Sequence, residues 1–310
     1  MRKYILKRLG MIILVVLAVS FAVFCIMELV PGDPAVTALG DEATFEELEF
    51  YRNAHGLNDP LVIQYLRYMG GLLHGDLGIS ITNKKPVWDL YFAKLPNTIK
   101  LASCSALLAV ATSIPLGMAA AIKRNTWIDA IASMLAFVGL AMPNFWIGIL
   151  LILGFSVNLG LFPSYGAGDG LRSLVLPSIT CGTAMMAAIT RTTRSAMLDV
   201  INQDYLRTAR SKGLTEHFVM VRHALKNALI PIVTMVGTQM AGLIGGSVIT
   251  ERVFSWPGVG SYLVDAIFKN DYQVVTGFVI MTSIMVSLIL LGVDLLYALI
   301  DPRIKAQFGS

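Results

Sequence analysis

The sequence predicts an all-α polytopic membrane protein with about six transmembrane helices. Of its 310 residues, 55% are hydrophobic and 14% are charged, and the mean hydropathy is +0.69. Soluble domains carry about 25% charged residues, so the deficit is large. Several apolar runs also reach the ~20 residues that an α-helix needs to cross a bilayer. The net charge of +4 gives no indication of nucleic-acid binding.

Residues 1–30 predict a retained N-terminal transmembrane helix. Four basic residues within 1–8 precede an apolar run from Leu9 to Val30. A signal peptide also begins in this way, but this run is longer than a signal-peptide core and lacks a small-x-small cleavage site. Two prolines close to each other, Pro31 and Pro34, end the helix. We expect the ionisable Glu28 to reach the interface rather than to serve transport or catalysis.

The rest of the chain divides by polarity. Residues 31–95 are polar, with nine acidic and five basic residues, and predict a segment outside the membrane with a helix from Thr44 to Arg52. Residues 96–300 predict a transmembrane domain, and 301–310 a tail. The five spans of that domain are expected at Asn97–Ile122, Ile131–Leu159, Leu174–Thr190, Leu229–Ile249 and Thr276–Ile300.

The central loop, residues 203–227, is the most polar and basic stretch between spans. Tyr205–Lys212 contains good helix formers, and Gly213 is placed to stop that helix in a left-handed conformation. Thr215 can cap a second helix. Three apolar residues of the second helix would share one face: Phe218, Val221 and Leu225. Such a loop is placed to receive a soluble partner, although an ordinary solvated loop is the alternative.

Charge predicts the orientation. Six spans put both termini on one side, where the loops and ends hold fifteen Lys and Arg residues, against eight on the other side. Short basic loops stay in the cytoplasm. The termini and the 203–227 loop are therefore predicted to be cytoplasmic, and the 31–95 segment extracytoplasmic.

The sequence predicts no catalytic residue and no metal site. Cys25, Cys104 and Cys181 lie in apolar stretches and are expected to be packing residues. The four histidines lack metal-ligand spacing, and no Gly-x-x-x-x-Gly-Lys-Ser/Thr loop for ATP occurs. An autonomous secondary transporter or channel would show inverted repeats and paired intramembrane charges. A membrane enzyme would need a cluster of catalytic groups. Neither pattern is visible.

The central loop resembles the coupling loop of the permease subunits of ATP-binding-cassette importers, in the form found in the dipeptide, oligopeptide and nickel branch. The loop motifs are DYLRTARSKG at 204–213 and RHALKNA at 222–228. Other stretches resemble the same branch: PGDP at 31–34, HGDLGIS at 74–80, WPGVG at 256–260 and DPRI at 301–304. The stretch DYQV at 271–274 departs from that branch, in which Asp-Tyr-Pro-Val is usual.

The resemblance implies a type I importer fold in the cytoplasmic (inner) membrane of a prokaryote. The chain would form half of a pathway for small peptides, with nickel or its chelates, or glutathione, as alternative cargo. Its expected partners are a second permease subunit, two ATPase subunits or domains that hold ATP and Mg, an extracytoplasmic solute-binding protein and membrane lipid.

The resemblance also assigns coupling residues. The candidates for contact with the ATPases are Asp204, Tyr205, Leu206, Arg207, Thr208, Ala209, Arg210, Lys212 and Gly213. We expect Tyr205 and Leu206 to be the anchors, because buried aromatic and aliphatic side chains dominate interface energies. Three bases, Arg207, Arg210 and Lys212, can pair with acids on a partner.

Two polar groups inside the spans are candidates to line the pathway. Met142, Asn144 and Trp146 surround Pro143, where a packed kink is the alternative. Thr234, Thr238 and Gln239 lie in span five, where helix–helix hydrogen bonding is the alternative. Elsewhere in the spans, Asp294 is expected to reach the interface or bond a neighbouring helix, and three glycines are expected to allow close helix packing: Gly242, Gly245 and Gly246.

The predicted orientation can be tested by cysteine accessibility. In a background without the native cysteines, Glu47→Cys is expected to react with an impermeant thiol reagent in intact cells, because residue 47 lies in the predicted extracytoplasmic segment. Labelling of this position only after permeabilisation would contradict the topology.

Overall fold

The structure is a computed structural model that describes residues 2–300 of the chain, and every regular element among them is a helix. The first four helices are α1 (Arg2–Leu29), α2 (Pro34–Leu39), α3 (Phe45–His55) and α4 (Leu61–Leu73). The middle of the chain forms α5 (Val87–Ile122), α6 (Trp127–Ala141), α7 (Asn144–Leu151) and α8 (Leu171–Ile201). The remainder forms α9 (Asp204–Ser211), α10 (Glu216–Phe218), α11 (Leu225–Gly246), α12 (Val248–Val253), α13 (Val259–Phe268) and α14 (Tyr272–Ile300). Two π-helical segments, Ile152–Asn158 and Val219–Ala224, continue α7 and join α10 to α11.

The number of spans agrees with the prediction of about six. Within the described residues, five helical stretches are long and apolar enough to cross a bilayer: Arg8–Met27, Val87–Ile122, Leu171–Ile201, Glu216–Gly246 and Tyr272–Leu295. A sixth is present if α6 and the helical stretch Asn144–Asn158 count as one span, since the chain bends by 108° between them.

The predicted span Ile131–Leu159, with Pro143 near its middle, consists of two helices in the structure. Met142 has an extended backbone, with φ −83° and ψ 133°, and separates the two helices. The physical reason is steric, because a residue that precedes proline avoids helical angles. Pro143 therefore breaks this span completely instead of kinking it.

Other spans also begin or end away from their predicted limits. The second starts at Val87 rather than Asn97, and the fourth continues to Ile201 rather than stopping at Thr190. Hydropathy marks the most apolar part of a helix, whereas these two helices continue beyond it through segments that contain charged residues, such as Asp89 and Lys94 in α5. The predicted tail at 301–310, with its DPRI motif, lies outside the described residues, as does the side chain of Glu28.

One compact unit comprises Arg2–Thr98 and Pro257–Ser287. Its core contains Met27, Leu77, Val87, Tyr91, Val259, Ala266, Val274, Val275 and Phe278. Asp271, which is 1% exposed, accepts hydrogen bonds from the Ser80 hydroxyl at 2.6 Å and the Thr82 amide at 3.1 Å. Because a buried carboxylate needs such donors, Asp271 ties the loop before α5 to the start of α14.

The polar segment of this unit is held by local bonds. The predicted helix from Thr44 is confirmed: Thr44 caps α3, with a reciprocal bond from its own amide to Glu47. The Arg52 guanidinium pairs with Asp33. Burial alone would raise the pKa of Asp33, but the hydrogen bonds from Arg52 and from the Ala35 amide hold that pKa below its usual value.

The second compact unit comprises Ile99–Trp256 and the described residues from Leu288 onward. Its core is built from α5, α8, α9 and α11 and includes Leu101, Ala106, Met185, Ile189, Met197, Leu206, Ala209, Ala224, Ala228 and Ile232. Small residues allow the helices of this core to approach closely. A Cβ added at Gly117 would lie 2.7 Å from the Thr190 carbonyl oxygen, and one added at Gly237 would overlap Val293.

The glycines that permit close packing are not those that the sequence predicts. Gly242 and Gly246 have open space around them within the described chain, so they make no close helix contact inside this chain. Gly242, Gly245 and Gly246 all lie on an exposed side of their helix. Gly237 has the close contact instead, because it faces α14.

This difference predicts opposite effects of two matched substitutions in α11. Gly237→Ala should lower the free energy of unfolding by about 1–3 kcal/mol, because the β-branched Val293 cannot easily move aside. Gly242→Ala should be neutral or stabilise by up to about 1 kcal/mol through helix propensity. Thermal unfolding of the purified protein in detergent measures both. Equal effects would show that Gly237 is not a packing position.

Candidate functional site

Helix α9 lies between the membrane helix α8 and the start of the next membrane helix. Leu206 and Ala209, three residues apart, are buried in the core of their unit, while Asp204, Tyr205 and Arg207 are exposed. An apolar stripe on one side of a short polar helix is enough to seat it on a core. The first predicted helix of the central loop is therefore confirmed. Its exposed face is held in a fixed position.

Gly213 ends this helix region in the left-handed conformation that the sequence predicts. Its φ is +76°, and its amide donates to the Arg210 carbonyl at 2.9 Å. A Cβ at this position would have no atom within 4 Å apart from its immediate neighbours. The backbone conformation, and not space, is thus what requires glycine here.

An ion pair closes the turn. The Arg210 guanidinium donates to the Glu216 carboxylate through Nε at 3.1 Å and Nη2 at 3.0 Å. Arg210 is therefore paired within the chain, and its contact with an acid on a partner stays a prediction. Arg207 and Lys212 form no ion pair within the described residues and remain exposed. Thr215 occupies the predicted N-cap position with an extended backbone, but its side chain makes no capping bond.

The second helix of the loop differs from the prediction in length and in its buried face. It is the beginning of the long helical stretch Glu216–Gly246 rather than a short helix. Phe218 and Val221 are exposed, and the buried residues are Val219, Met220 and Ala224. The π-helical segment explains the difference, because its wider turn rotates the following residues away from the 3.6-residue pattern.

The two predicted anchors occupy different environments. Tyr205 is 41% exposed, whereas Leu206 is 0% exposed and packs into the chain's own core. The expectation that Leu206 contacts a partner is therefore corrected, because no part of its side chain is accessible. Leu206 positions α9 from beneath. The exposed face of the loop comprises Asp204, Tyr205, Arg207, Thr208, Lys212 and Gly213.

An exposed stripe of polar and small residues runs along α11 from its N-terminal end. Its members recur at intervals of three or four: Asn227, Pro231, Thr234, Thr238, Gly242 and Gly245. The hydroxyls of Thr234 and Thr238 donate to carbonyl oxygens of their own helix, at 2.8 Å and 3.0 Å. Among the described residues, neither threonine side chain has a hydrogen bond to a neighbouring helix. Gln239 is half-buried beside this stripe.

The other predicted pathway group lies at the break between α6 and α7. Met142 and Asn144 are half-buried, and Trp146 is exposed. No hydrogen bond joins this group to the threonines of α11 among the described residues. Asp294 is half-buried in α14, and its role stays a prediction.

Sequence reasoning missed one ion pair. The Arg194 guanidinium of α8 donates through Nε and Nη2 to the two carboxylate oxygens of Asp129 in α6, at 2.5 Å and 2.8 Å. Asp129 is buried and also accepts from the Asn125 amide at 3.0 Å. The available signal was an acid and a base close to the same end of two successive spans. Hydropathy alone does not show that the two helices are neighbours.

Two family models cover most of the chain. Residues 113–306 match the model described as the binding-protein-dependent transport system inner membrane component, and residues 1–102 match the N-terminal model of the same systems. The chain belongs to this family. It is a permease subunit of a binding-protein-dependent ATP-binding-cassette importer, as the loop motifs predict.

Relatives of established name are similar over almost the whole length. The oligopeptide transport system permease protein AppB of Bacillus subtilis is 42% identical, over 98% of this chain and 100% of the relative. The dipeptide permease DppB of Escherichia coli is 38% identical, over 98% and 99%. The glutathione permease GsiC of Salmonella paratyphi A is 42% identical, over 98% and 99%.

Solved structures support the fold. A chain of the MetNI methionine ABC transporter, in an inward-facing conformation, has a TM-score of 0.58 at 19% identity and covers 68% of this chain and 96% of its own. A chain of an amino acid ABC transporter has a TM-score of 0.50 at 16% identity, over 69% and 94%. The predicted type I importer fold is confirmed.

Gly213 offers a sharp test of the loop. Gly213→Leu should abolish uptake at near-normal membrane abundance, because left-handed strain of about 1–2 kcal/mol would favour another backbone conformation and re-aim α9. Gly213→Asn should retain most uptake, since asparagine tolerates that conformation and the site has room. Ser211→Ala is the control for an exposed loop residue and should be mild. Normal uptake by Gly213→Leu would support the alternative that this segment is an ordinary solvated loop.

Proposed function

We propose that this chain forms half of a pathway that carries small peptides across the inner membrane, driven by ATP hydrolysis in separate subunits. A second permease subunit would complete the pathway, two ATPase subunits or domains would bind ATP and Mg, and an extracytoplasmic solute-binding protein would deliver the peptide. The observation that carries the proposal is α9, an exposed polar helix seated rigidly on the core between two membrane helices.

The packing of α9 supplies a route for mechanical coupling. Leu206 and Ala209 belong to the same core as Met197 of α8 and as Ala224 and Ala228 at the start of the next membrane helix. Close-packed cores transmit displacement because their side chains have little free volume. A partner that moves the exposed face of α9 would therefore move the cytoplasmic ends of both membrane helices.

The exposed face of α9 fits a docking role. Tyr205 offers an aromatic ring for a partner groove, and Arg207 and Lys212, which have no ion pair among the described residues, offer cations at its edge. Exposed ion pairs contribute only about 0–1 kcal/mol each, so we assign most of the contact energy to Tyr205. The Arg210–Glu216 pair would keep the turn in shape rather than bind the partner.

The α11 stripe is the proposed wall of the pathway. A hydroxyl group in a membrane is costly only where it lacks a hydrogen-bond partner. Here both threonine hydroxyls donate to carbonyl oxygens of their own helix. Such a surface can face water and peptide groups without selecting one side-chain charge. Thr234 and Thr238 lie on it, whereas Gln239 lies beside it. We keep Met142, Asn144 and Trp146 as candidates for the same path.

The cargo assignment rests on the relatives. AppB is named for oligopeptides, DppB for dipeptides and GsiC for glutathione, which is itself a tripeptide. Short peptides are the class that these names share. Glutathione remains an alternative within that class, and nickel or a nickel chelate an alternative outside it.

The proposed orientation places both termini and α9 in the cytoplasm. It requires α6 and the stretch Asn144–Asn158 to count as one crossing, since a re-entrant pair would leave α9 on the outer side. Leu214→Cys, in the exposed turn, distinguishes the two arrangements. It is expected to react with an impermeant reagent only after permeabilisation.

Reconstitution tests the proposed function. The complete complex in proteoliposomes should hydrolyse ATP, and the peptide-loaded solute-binding protein should raise the rate and drive accumulation of labelled peptide. The purified chain without ATPase subunits should hydrolyse none. Accumulation that continues without ATP would indicate a secondary transporter. Nickel accumulation without peptide accumulation would replace the cargo assignment and leave the importer assignment intact.

A further inference from the structure

A groove between α6 and α8 is not used by the coupling site or the pathway. It encloses about 160 Å³, and we call it the α6–α8 groove. Its lining combines apolar residues of α6, among them Ala136, Phe137 and Leu140, with two cations of α8, Arg191 and Arg194. All of these residues belong to one compact unit.

The groove has two positive charges beside one negative charge, that of Asp129. Arg194 uses Nε and Nη2 in its pair with Asp129, whose carboxylate is thereby neutralised. Arg191 lies three residues earlier in α8, about 4.5 Å along the helix axis. It is exposed, and it forms no ion pair or side-chain hydrogen bond among the described residues. One positive charge is therefore left without a counter-ion inside a membrane-spanning helix, where an unneutralised charge is costly.

The apolar part of the groove lies deeper in the membrane than its cations. Helix α6 begins at Trp127 beside the turn that carries Lys123 and Arg124, and it proceeds inward, so Phe137 and Leu140 lie two to three turns beyond Asp129. Phe137 is 70% exposed and Leu140 is also exposed. A cation at the shallow end and exposed apolar side chains at the deep end match the order of a phospholipid, from headgroup to acyl chain.

We propose that the α6–α8 groove holds one anionic phospholipid of the cytoplasmic leaflet. Its phosphate would bind Arg191 and the remaining Arg194 nitrogen, Nη1, and an acyl chain would lie along Phe137 and Leu140. Basic pockets between membrane helices on the cytoplasmic side are a recurring form of lipid recognition. The choice of leaflet rests on the orientation proposed above. A free phosphate ion would neutralise Arg191 but leave the apolar half uncovered.

The bound lipid would act on the coupling region through α8. Arg191 and Arg194 lie about two to three turns before the end of that helix, and α9 follows directly after it. A headgroup that bridges the cation and the membrane surface would fix the depth of this end of α8. The site is thus placed to make transport depend on anionic lipid.

Lipid counting by native mass spectrometry tests the proposal. The intact, delipidated transporter complex is titrated in detergent with phosphatidylglycerol and, separately, with phosphatidylcholine of the same acyl chains. Wild type should bind one phosphatidylglycerol in preference to phosphatidylcholine. Arg191→Gln should reduce that preference about fivefold, as expected for one basic residue near an anionic surface. Arg191→Lys should retain most of it.

Two further variants distinguish lipid binding in the groove from a general effect of positive charge. Ala136→Phe keeps every charge but fills the groove, and it should also lose the bound lipid. Lys123→Gln removes an exposed cation outside the groove and should bind as wild type does. Unchanged preference in both Arg191→Gln and Ala136→Phe, an equal loss in Lys123→Gln, or displacement of the lipid by excess inorganic phosphate would overturn the proposal. The lipid count does not depend on transport. It can therefore still be interpreted if the proposed transport function proves wrong.

Discussion

The arrangement of the central loop depends on the burial of two residues, Leu206 and Ala209. They attach an otherwise polar helix to the core that α8 and the start of α11 share. Burial of a leucine side chain contributes about 1.5–3 kcal/mol, which is enough to hold a two-turn helix in one orientation. Without these contacts, α9 would be a short polar helix of marginal stability.

The turn after α9 fixes how that helix is joined to the next one. Gly213 ends α9 in a left-handed conformation, and the Arg210–Glu216 pair spans the turn. The next helix then enters the core at once, through Val219 and Met220, and continues into the membrane. The exposed face of α9 is therefore coupled to two long helices and not to a flexible loop.

Local features of the sequence predict much of this structure. The apolar runs predict the spans, and the motif around Gly213 predicts α9 and its C-terminal end. Both predictions are possible because helix propensity and the left-handed conformation of glycine depend on only a few neighbouring residues. Contacts between distant residues could not be read in this way. Asp129 and Arg194 meet only because α6 packs on α8. The inward orientation of Leu206 and the rotated face after Phe218 likewise depend on tertiary packing and on a π-helical turn. Met142 shows the same limit locally, since a proline within an apolar run is compatible with either a kink or a full break.

The central claim is that α9 transmits motion because Leu206 joins it to the core. The most direct measurement is the number of peptides taken up per ATP hydrolysed by the reconstituted complex with Leu206→Ala, compared with the volume-conserving Leu206→Met. Truncation of a buried leucine costs about 2–5 kcal/mol of packing, whereas exchange for methionine usually costs less than about 1.5 kcal/mol. The account predicts that Leu206→Ala continues to hydrolyse ATP with a clearly reduced yield of peptide, while Leu206→Met stays near wild type. A wild-type yield from Leu206→Ala would contradict it.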